Sequence, residues 1–343
     1  MARELIHMNG VDKTERIRLF GHFYRKSRFF AAFLICAAML VGSFGAVGVW
    51  QSRGAWNHEK SAASTAQGET DAPPPVEPTP PHVPAGAVPI CDADLSAAHL
   101  GNGYINHETA HLPDTETLLS QDLSSAVSSE PLVLILHTHT RESYSAAGQG
   151  YLEGEIGDLT YSDDPAKGVL AVGETLARTL KEKGVTAIHC TVTHDEPTLA
   201  GSYARAFESI RFFLEMYPSI RYVIDLHRDS VLSADGEYLR AVCETEDGRC
   251  AQVMAVVGSG EMSDARMQGN LALAQQLRVR LNGEFPTLCR PTVLRDATYN
   301  QELAPYSLLL EIGTGGNSVE EACRSAALVG EALAAIICGD RGR

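Results

Sequence analysis

Positive charge is scarce in this sequence. Against 43 Asp and Glu there are 28 Lys and Arg, a formal net charge of −15 over 343 residues. Nucleic-acid binding needs a basic face, so DNA and RNA are excluded as partners, and a solvated acidic surface accounts for the balance. No C-x-x-C pair occurs, which removes a cysteine zinc cluster. Seven cysteines (Cys91, Cys190, Cys243, Cys250, Cys289, Cys323, Cys338) follow residue 50, an odd number spread over a large region. They make no dense disulfide framework. Cys243 and Cys250 flank a turn and are placed to pair in an oxidising compartment, while burial accounts for the others. The glycine run Gly313-Thr314-Gly315-Gly316 lacks the G-K-[S/T] ending of a nucleotide-phosphate loop. It reads as a tight turn or as backbone that approaches a substrate. No internal repeat is present.

Phe29 to Trp50 runs for 22 residues without a charge, enough to cross a hydrocarbon core of roughly 30 Å. Before it, Arg3, Lys13, Arg16, Arg18, Arg25, Lys26 and Arg28 outnumber Glu4, Asp12 and Glu15. A basic flank stays in the cytoplasm, which predicts a single-pass anchor with everything after it outside. A cleaved signal peptide is the competing reading, with Gly45-Ala46-Val47-Gly48 offering small residues for cleavage. The expected layout is a cytoplasmic tail over 1–28, an anchor over 29–50 and a linker over 51–89. That linker turns proline-rich (Pro73-Pro74-Pro75, Pro78, Pro80, Pro81, Pro84, Pro89) and reads as a semi-extended spacer. A partly ordered lead-in covers 90–130 and the main domain 131–343.

After Pro131, apolar runs alternate with helical patterns. Strands are expected at 132–136, 185–191 and 221–226, with helices near 168–184 and 202–216 between them. This rhythm predicts an α/β fold with a largely parallel twisted sheet and helices on both faces. Tyr238 to Val242 and Ala251 to Val257 read as a hairpin across a polar link. A helix near 267–284 follows, then a strand ending at Glu311. The last helix begins at Ser318, where Ser318-Val319-Glu320-Glu321 is a capping box. Ser143 to Lys167 lacks periodicity, and a loop of that length is expected to be a lid or substrate wall.

His139 and Glu142 form an H-x-x-E pair just past the apolar run Leu132 to Leu136. Open α/β sheets place their chemistry at the carboxyl ends of strands. Zinc takes imidazole nitrogen and carboxylate oxygen, and catalytic sites use three protein ligands plus a water. Tyr222-Val223-Ile224-Asp225-Leu226-His227 delivers a third candidate in the same way, and Leu308-Leu309-Leu310-Glu311 delivers a carboxylate. Buried groups of this kind are costly unless partnered. Taken singly, each has a bland reading: a satisfied core histidine, a chance H-x-x-E, or a Glu311 that accepts bonds from a helix start. His137 lies two residues before His139, and on a strand both would share a face, so either is a candidate first ligand. His189 and His194 read as scaffold or rim.

Four ordered stretches resemble the stage II sporulation protein P family of endospore-forming bacteria: Leu134 to Tyr144, Asp225 to Ser230, Tyr299 to Leu303 and Leu309 to Ala322. The resemblance spans roughly Pro131 to Ile337. It implies a zinc-dependent N-acetylmuramoyl-L-alanine amidase fold acting on peptidoglycan, with activity on peptide cross-links besides. It also implies work in engulfment beside a lytic transglycosylase and a further sporulation membrane protein. By the same resemblance His139, Glu142 and His227 are zinc ligands and Glu311 the catalytic acid/base. Zinc would lower the pKa of bound water to about 7 and polarise the carbonyl, while Glu311 takes a proton from the water and returns it to the leaving amine. Arg228 is a candidate for the substrate carboxylate or oxyanion, and Asp225 or Asp229 for orienting an imidazole. Tyr299-Asn300-Gln301 offers polar contacts to glycan or peptide, or a capped loop. Two other classes share these residues. One is a wall-binding scaffold with a structural metal; the other is a zinc carboxypeptidase, which needs a cation such as Arg228 or Arg290 for a free carboxylate.

Overall fold

The computed structural model describes residues 83–96, 105–107, 113–153 and 160–340. The expected tail and anchor lie outside the described residues. Among the described residues, no helix is long and apolar enough to cross a membrane.

In chain order the strands are Val88–Ala93 (β1), Ile105–His107 (β2), Val133–Leu136 (β3), Tyr151–Leu152 (β4), Ala187–His189 (β5), Tyr222–Asp229 (β6), Tyr238–Thr245 (β7), Gly248–Ala251 (β8), Val253–Gly258 (β9), Thr292–Arg295 (β10) and Tyr306–Thr314 (β11). The helices are Thr115–Ser120 (α1), Val169–Glu182 (α2), Ser202–Met216 (α3), Asp264–Glu284 (α4) and Val319–Ile337 (α5). Ser318 caps α5 in the expected capping box, with Glu321 reaching back to its amide.

The main sheet has the order β2-β10-β9-β11-β6-β3-β5. It is mixed, which corrects the largely parallel expectation: β11, β6, β3 and β5 run one way, β2, β10 and β9 the other, and β9 meets β11 antiparallel. The cause lies in the predicted hairpin, which closes between β7 and β8 with Cys243 opposite Cys250. Both thiols are free. The chain then passes through Gln252 into β9, so the second apolar run joins the main sheet rather than its hairpin neighbour. β7 and β8 complete a small sheet of order β4-β1-β7-β8.

Strand alternation sorts the core. Val133, Ile135, Tyr222, Ile224, Leu226, Leu308, Leu310 and Ile312 face α2, α4 and α5 in the larger cluster. Leu134, Leu136 and Val223 face α3, which covers them with Ala206, Ile210, Phe212 and Phe213. Burial on both faces is why β3 and the start of β6 read as continuous apolar runs. Further along β6, Asp225, His227 and Asp229 follow Val223 on the α3 side by the period of two.

Candidate active site and metal centre

The ends of β3, β6 and β11 lie side by side at one edge of the sheet. Glu311 is the register partner of His227, and Leu309 that of Asp225. Paired residues on neighbouring strands project to the same face, so the sheet itself sets Glu311 beside His227. β3 ends at Leu136, and the chain then turns, with the Glu142 amide donating to the His139 carbonyl at 3.2 Å. That turn swings Glu142 over β6, where its Oε2 accepts the Arg228 amide at 3.1 Å and lies 3.3 Å from His227 Nδ1. The His139 ring meets the His227 ring edge-on, with centroids 5.3 Å apart.

His227 is buried between two carboxylates. Its Nε2 lies 3.0 Å from Asp225 Oδ1 but outside hydrogen-bond alignment. Asp225 is itself held by the Thr138 amide at 2.8 Å and the Thr138 hydroxyl at 2.6 Å. Burial disfavours the imidazolium, yet Asp225 and Glu142 outweigh it and hold the His227 pKa well above its ordinary value. For His139 burial wins and lowers the pKa; a histidine ligand must be neutral, so an ion at His227 would have to displace its proton. Burial pushes the Glu311 carboxyl up to about 8, opposed by His227 and reinforced by Asp229 and Glu142.

Among the described residues, no group of three or more His, Cys, Asp or Glu already converges in a metal-binding arrangement. The chemistry of the set nonetheless fits a divalent cation. His139 Nδ1 and Glu311 Oε2 are buried without a hydrogen-bond partner, a costly condition that a bound ion or substrate would relieve. The 3.3 Å between Glu142 and His227 matches the edge of a tetrahedron whose ligands sit about 2.0–2.2 Å from zinc.

His137 stands apart from this group. Its Nδ1 donates to the Leu226 carbonyl at 2.8 Å, and its Nε2 meets His189 Nε2 at 2.9 Å, with His189 Nδ1 3.3 Å from Glu174. Both ring nitrogens are thus engaged. α2 approaches this pair through Gly173, where a Cβ would come within 2.7 Å of the His137 ring. The alternation that would align His137 with His139 fails because the strand has already ended. His194 is scaffold, bonded to the His137 carbonyl and to Ser209.

Arg228 also faces away from the expected role. At 4 % exposure its guanidinium donates to Ser143 O, Asp229 O and both Thr160 oxygens, beneath the Tyr161 ring. It is a strut that ties the 143–167 loop to β6. Where it is described, that loop is pinned rather than free: Glu142 bridges Tyr161, Ser143 bridges Gly168 and Ser145 bridges Ser318. The glycine run is buried as well. Gly313 (φ 73°) lies against Ala251 and Asn317, and Gly315 against Thr160 and Tyr238, so these glycines permit close packing of the two sheets. Asn300 and Gln301 cap backbone: Asn300 donates to Tyr203 O, and Gln301 bonds Gly258 N and Val256 O. Tyr203, for which no motif gave a signal, packs edge-on against His139 with centroids 5.8 Å apart.

The model of the family described as stage II sporulation protein P (SpoIIP) matches residues 61–334. The chain belongs to this family. A curated relative, stage II sporulation protein P of Bacillus subtilis (strain 168), is 28% identical over 207 residues, covering 57% of this chain and 48% of the relative. The chain thus spans about half the length of the curated relative it matches. The four stretches that carried the SpoIIP resemblance are also those that deliver His139 and Glu142, His227, Tyr299, and Glu311. Solved structures similar to it include the N-acetylmuramoyl-L-alanine amidase AmiC2 of Nostoc punctiforme, with 14% identity, 60% of this chain and 94% of that one covered, and a TM-score of 0.34. Another is the amidase Ami1 of Mycobacterium smegmatis, with 16% identity, 64% and 99% covered, and a TM-score of 0.36. At these scores the likeness carries no argument about chemistry.

Proposed function

We propose that the chain is a membrane-anchored, zinc-dependent peptidoglycan hydrolase that cleaves the amide between N-acetylmuramic acid and L-alanine during sporulation. The carrying observation is the pair of buried, partnerless atoms His139 Nδ1 and Glu311 Oε2 beside the 3.3 Å approach of Glu142 Oε2 to His227 Nδ1. SpoIIP membership supports the biological setting, including a cell-surface location and work beside a lytic transglycosylase and another membrane protein.

In this reading His139, Glu142 and His227 hold the ion. Zinc bound there would supply polarisation of the amide carbonyl and a water whose pKa is lowered to about 7. Glu311 Oε2 accepts the proton of the attacking water, whose oxygen bonds to the carbonyl carbon. Glu311 then passes that proton to the nitrogen as the C–N bond breaks. A carboxylate lifted toward neutrality by burial suits both halves of this transfer, because efficient acid–base catalysis needs a pKa near the working pH. Asp225, fixed by Thr138, orients the His227 ring.

The test uses the full-length chain in detergent, with zinc and after chelation, on purified peptidoglycan. Intact stem peptides and unsubstituted muramic acid are expected only with zinc. Glu311→Gln should lower release by at least about 100-fold, the scale of a lost acid–base group, while zinc content and wall binding persist. Release at the parental rate would remove Glu311 from the mechanism. New carboxy-terminal D-amino acids without released stems would instead support the carboxypeptidase.

A further inference from the structure

Two consecutive residues that are not glycine, Tyr299 (φ 51°) and Asn300 (φ 58°), adopt the left-handed conformation. For a bulky side chain this is a true outlier and persists only where surrounding contacts enforce it. They do so here. Asn300 Nδ2 donates to Tyr203 O at 2.9 Å, the Gln301 amide donates to Thr298 O at 2.9 Å, and the Gln301 side chain is bonded to Gly258 N and Val256 O. The result is a half-exposed Tyr299 ring 5.8 Å from the Tyr203 ring, which in turn touches His139.

Below Tyr299 lies a small apolar floor of Val256, Val293 and Leu309, with Met254 at its side. Met254 is the register partner of Glu311, so this floor runs up to the candidate acid/base. α3 packs on β3 and its neighbours; Val256, Val293 and Leu309 are themselves buried, and Met254, Tyr203 and Tyr299 are the partly exposed side chains above them. The floor is made of paired strands: β9 is bonded to β10 on one side and β11 on the other. No free strand edge is offered to an extended peptide, so recognition must come from side-chain faces. The opposite border is polar, an Arg290–Asp229 ion pair at 2.7 Å.

We propose that Tyr299 and Tyr203, with Met254 beside Glu311, form a saccharide subsite: the C–H face of a pyranose ring lies on Tyr299 and the phenol groups meet its hydroxyls. Aromatic rings with a polar tip suit a ligand that is apolar on its faces and polar at its rim. The inference rests on the amidase reading, in which one side of the scissile amide is a sugar.

The test is calorimetric binding to the zinc-loaded, full-length Glu311→Gln chain. One probe is N-acetylglucosaminyl-N-acetylmuramoyl-L-alanyl-D-glutamate; the other is N-lactoyl-L-alanyl-D-glutamate, which keeps the amide and lacks the sugars. The disaccharide probe should bind about tenfold tighter, the scale of one well-made ring contact. Adding Tyr299→Asn should erase that advantage and leave the lactoyl probe unchanged. Asn tolerates a left-handed backbone far better than Tyr, which offsets the packing lost over Val256 and Leu309, and unchanged lactoyl binding reports that the variant is folded. Tyr299→Phe should keep most of the preference. Equal binding of both probes by the parent overturns the proposal, as does unchanged disaccharide binding by Tyr299→Asn or equal weakening of both probes. If Tyr299-dependent sugar binding persists while the chain with Glu311 restored leaves the disaccharide probe uncut, the subsite stands and the amidase reading falls.

Discussion

Replacing Asp225 by Asn probes whether the His227 ring is set by the carboxylate behind it. Asp225 is 5 % exposed, bonded twice to Thr138 and 3.0 Å from His227 Nε2. Asn keeps the shape and one acceptor but turns the other oxygen into a donor and removes the charge. Loss of such an outer partner typically costs 10–100-fold in metal affinity, about 1.4–2.7 kcal/mol. Titration of the chain against a zinc chelator of known affinity should show that drop. The metal-free chain adds a second reading. Burial raises the Asp225 carboxyl, but His227 and Thr138 outweigh it and lower it from 3.8 to about 2. A group depressed in the folded state contributes stability above its unfolded pKa and loses it as pH falls through the folded one. The contribution, about 2 kcal/mol at roughly 1.4 per unit, is therefore present above pH 4 and gone near pH 2. Denaturant unfolding of the metal-free parent should show this extra acid sensitivity, and Asp225→Asn should lack it. Zinc affinity within twofold of the parent, together with an identical acid profile, would refute the assignment of Asp225 to His227.

Two further substitutions separate neighbours that the sequence leaves equivalent. His139→Gln should abolish stoichiometric zinc by elemental analysis, whereas His137→Gln should retain zinc and lower the melting temperature, because it disturbs the bonds of His137 to the Leu226 carbonyl and to His189. Arg228→Met should destabilise the chain by about 2–4 kcal/mol in denaturant melts, since it strands buried carbonyls of Ser143 and Thr160. An unchanged melt with a raised KM would instead return Arg228 to the substrate.

Much of the fold was legible because its signals are local. Apolar runs flanked by helical patterns located β3, β6, β11, α2 and α3 within a few residues, and the Ser318 capping box fixed where α5 starts. The mixed sheet was not legible. Gln252 separates two strand-like runs, and nothing nearby says that the second leaves its hairpin to lie antiparallel to β11. The same divide runs through the candidate site. His139, Glu142, His227 and Glu311 stood out by strand-end position, and the structure gathers them at one edge. Arg228 shares that position, but the period of two turns its side chain away from the Asp225–His227–Asp229 row. Tyr203 gave no signal because its place depends on how α3 crosses the sheet.

β6 carries Tyr222, Ile224 and Leu226 into the larger core and Asp225, His227 and Asp229 toward the reactive edge. A slip of a single residue in its pairing would exchange the two rows, driving charges into hydrocarbon and lifting the hydrocarbon out. Competence and correct folding are therefore tested by the same event. In the hydrolase proposed above, that coupling would be a safeguard: a mispaired copy would be inert, and the destructive chemistry would arise only in molecules whose interior has already closed correctly.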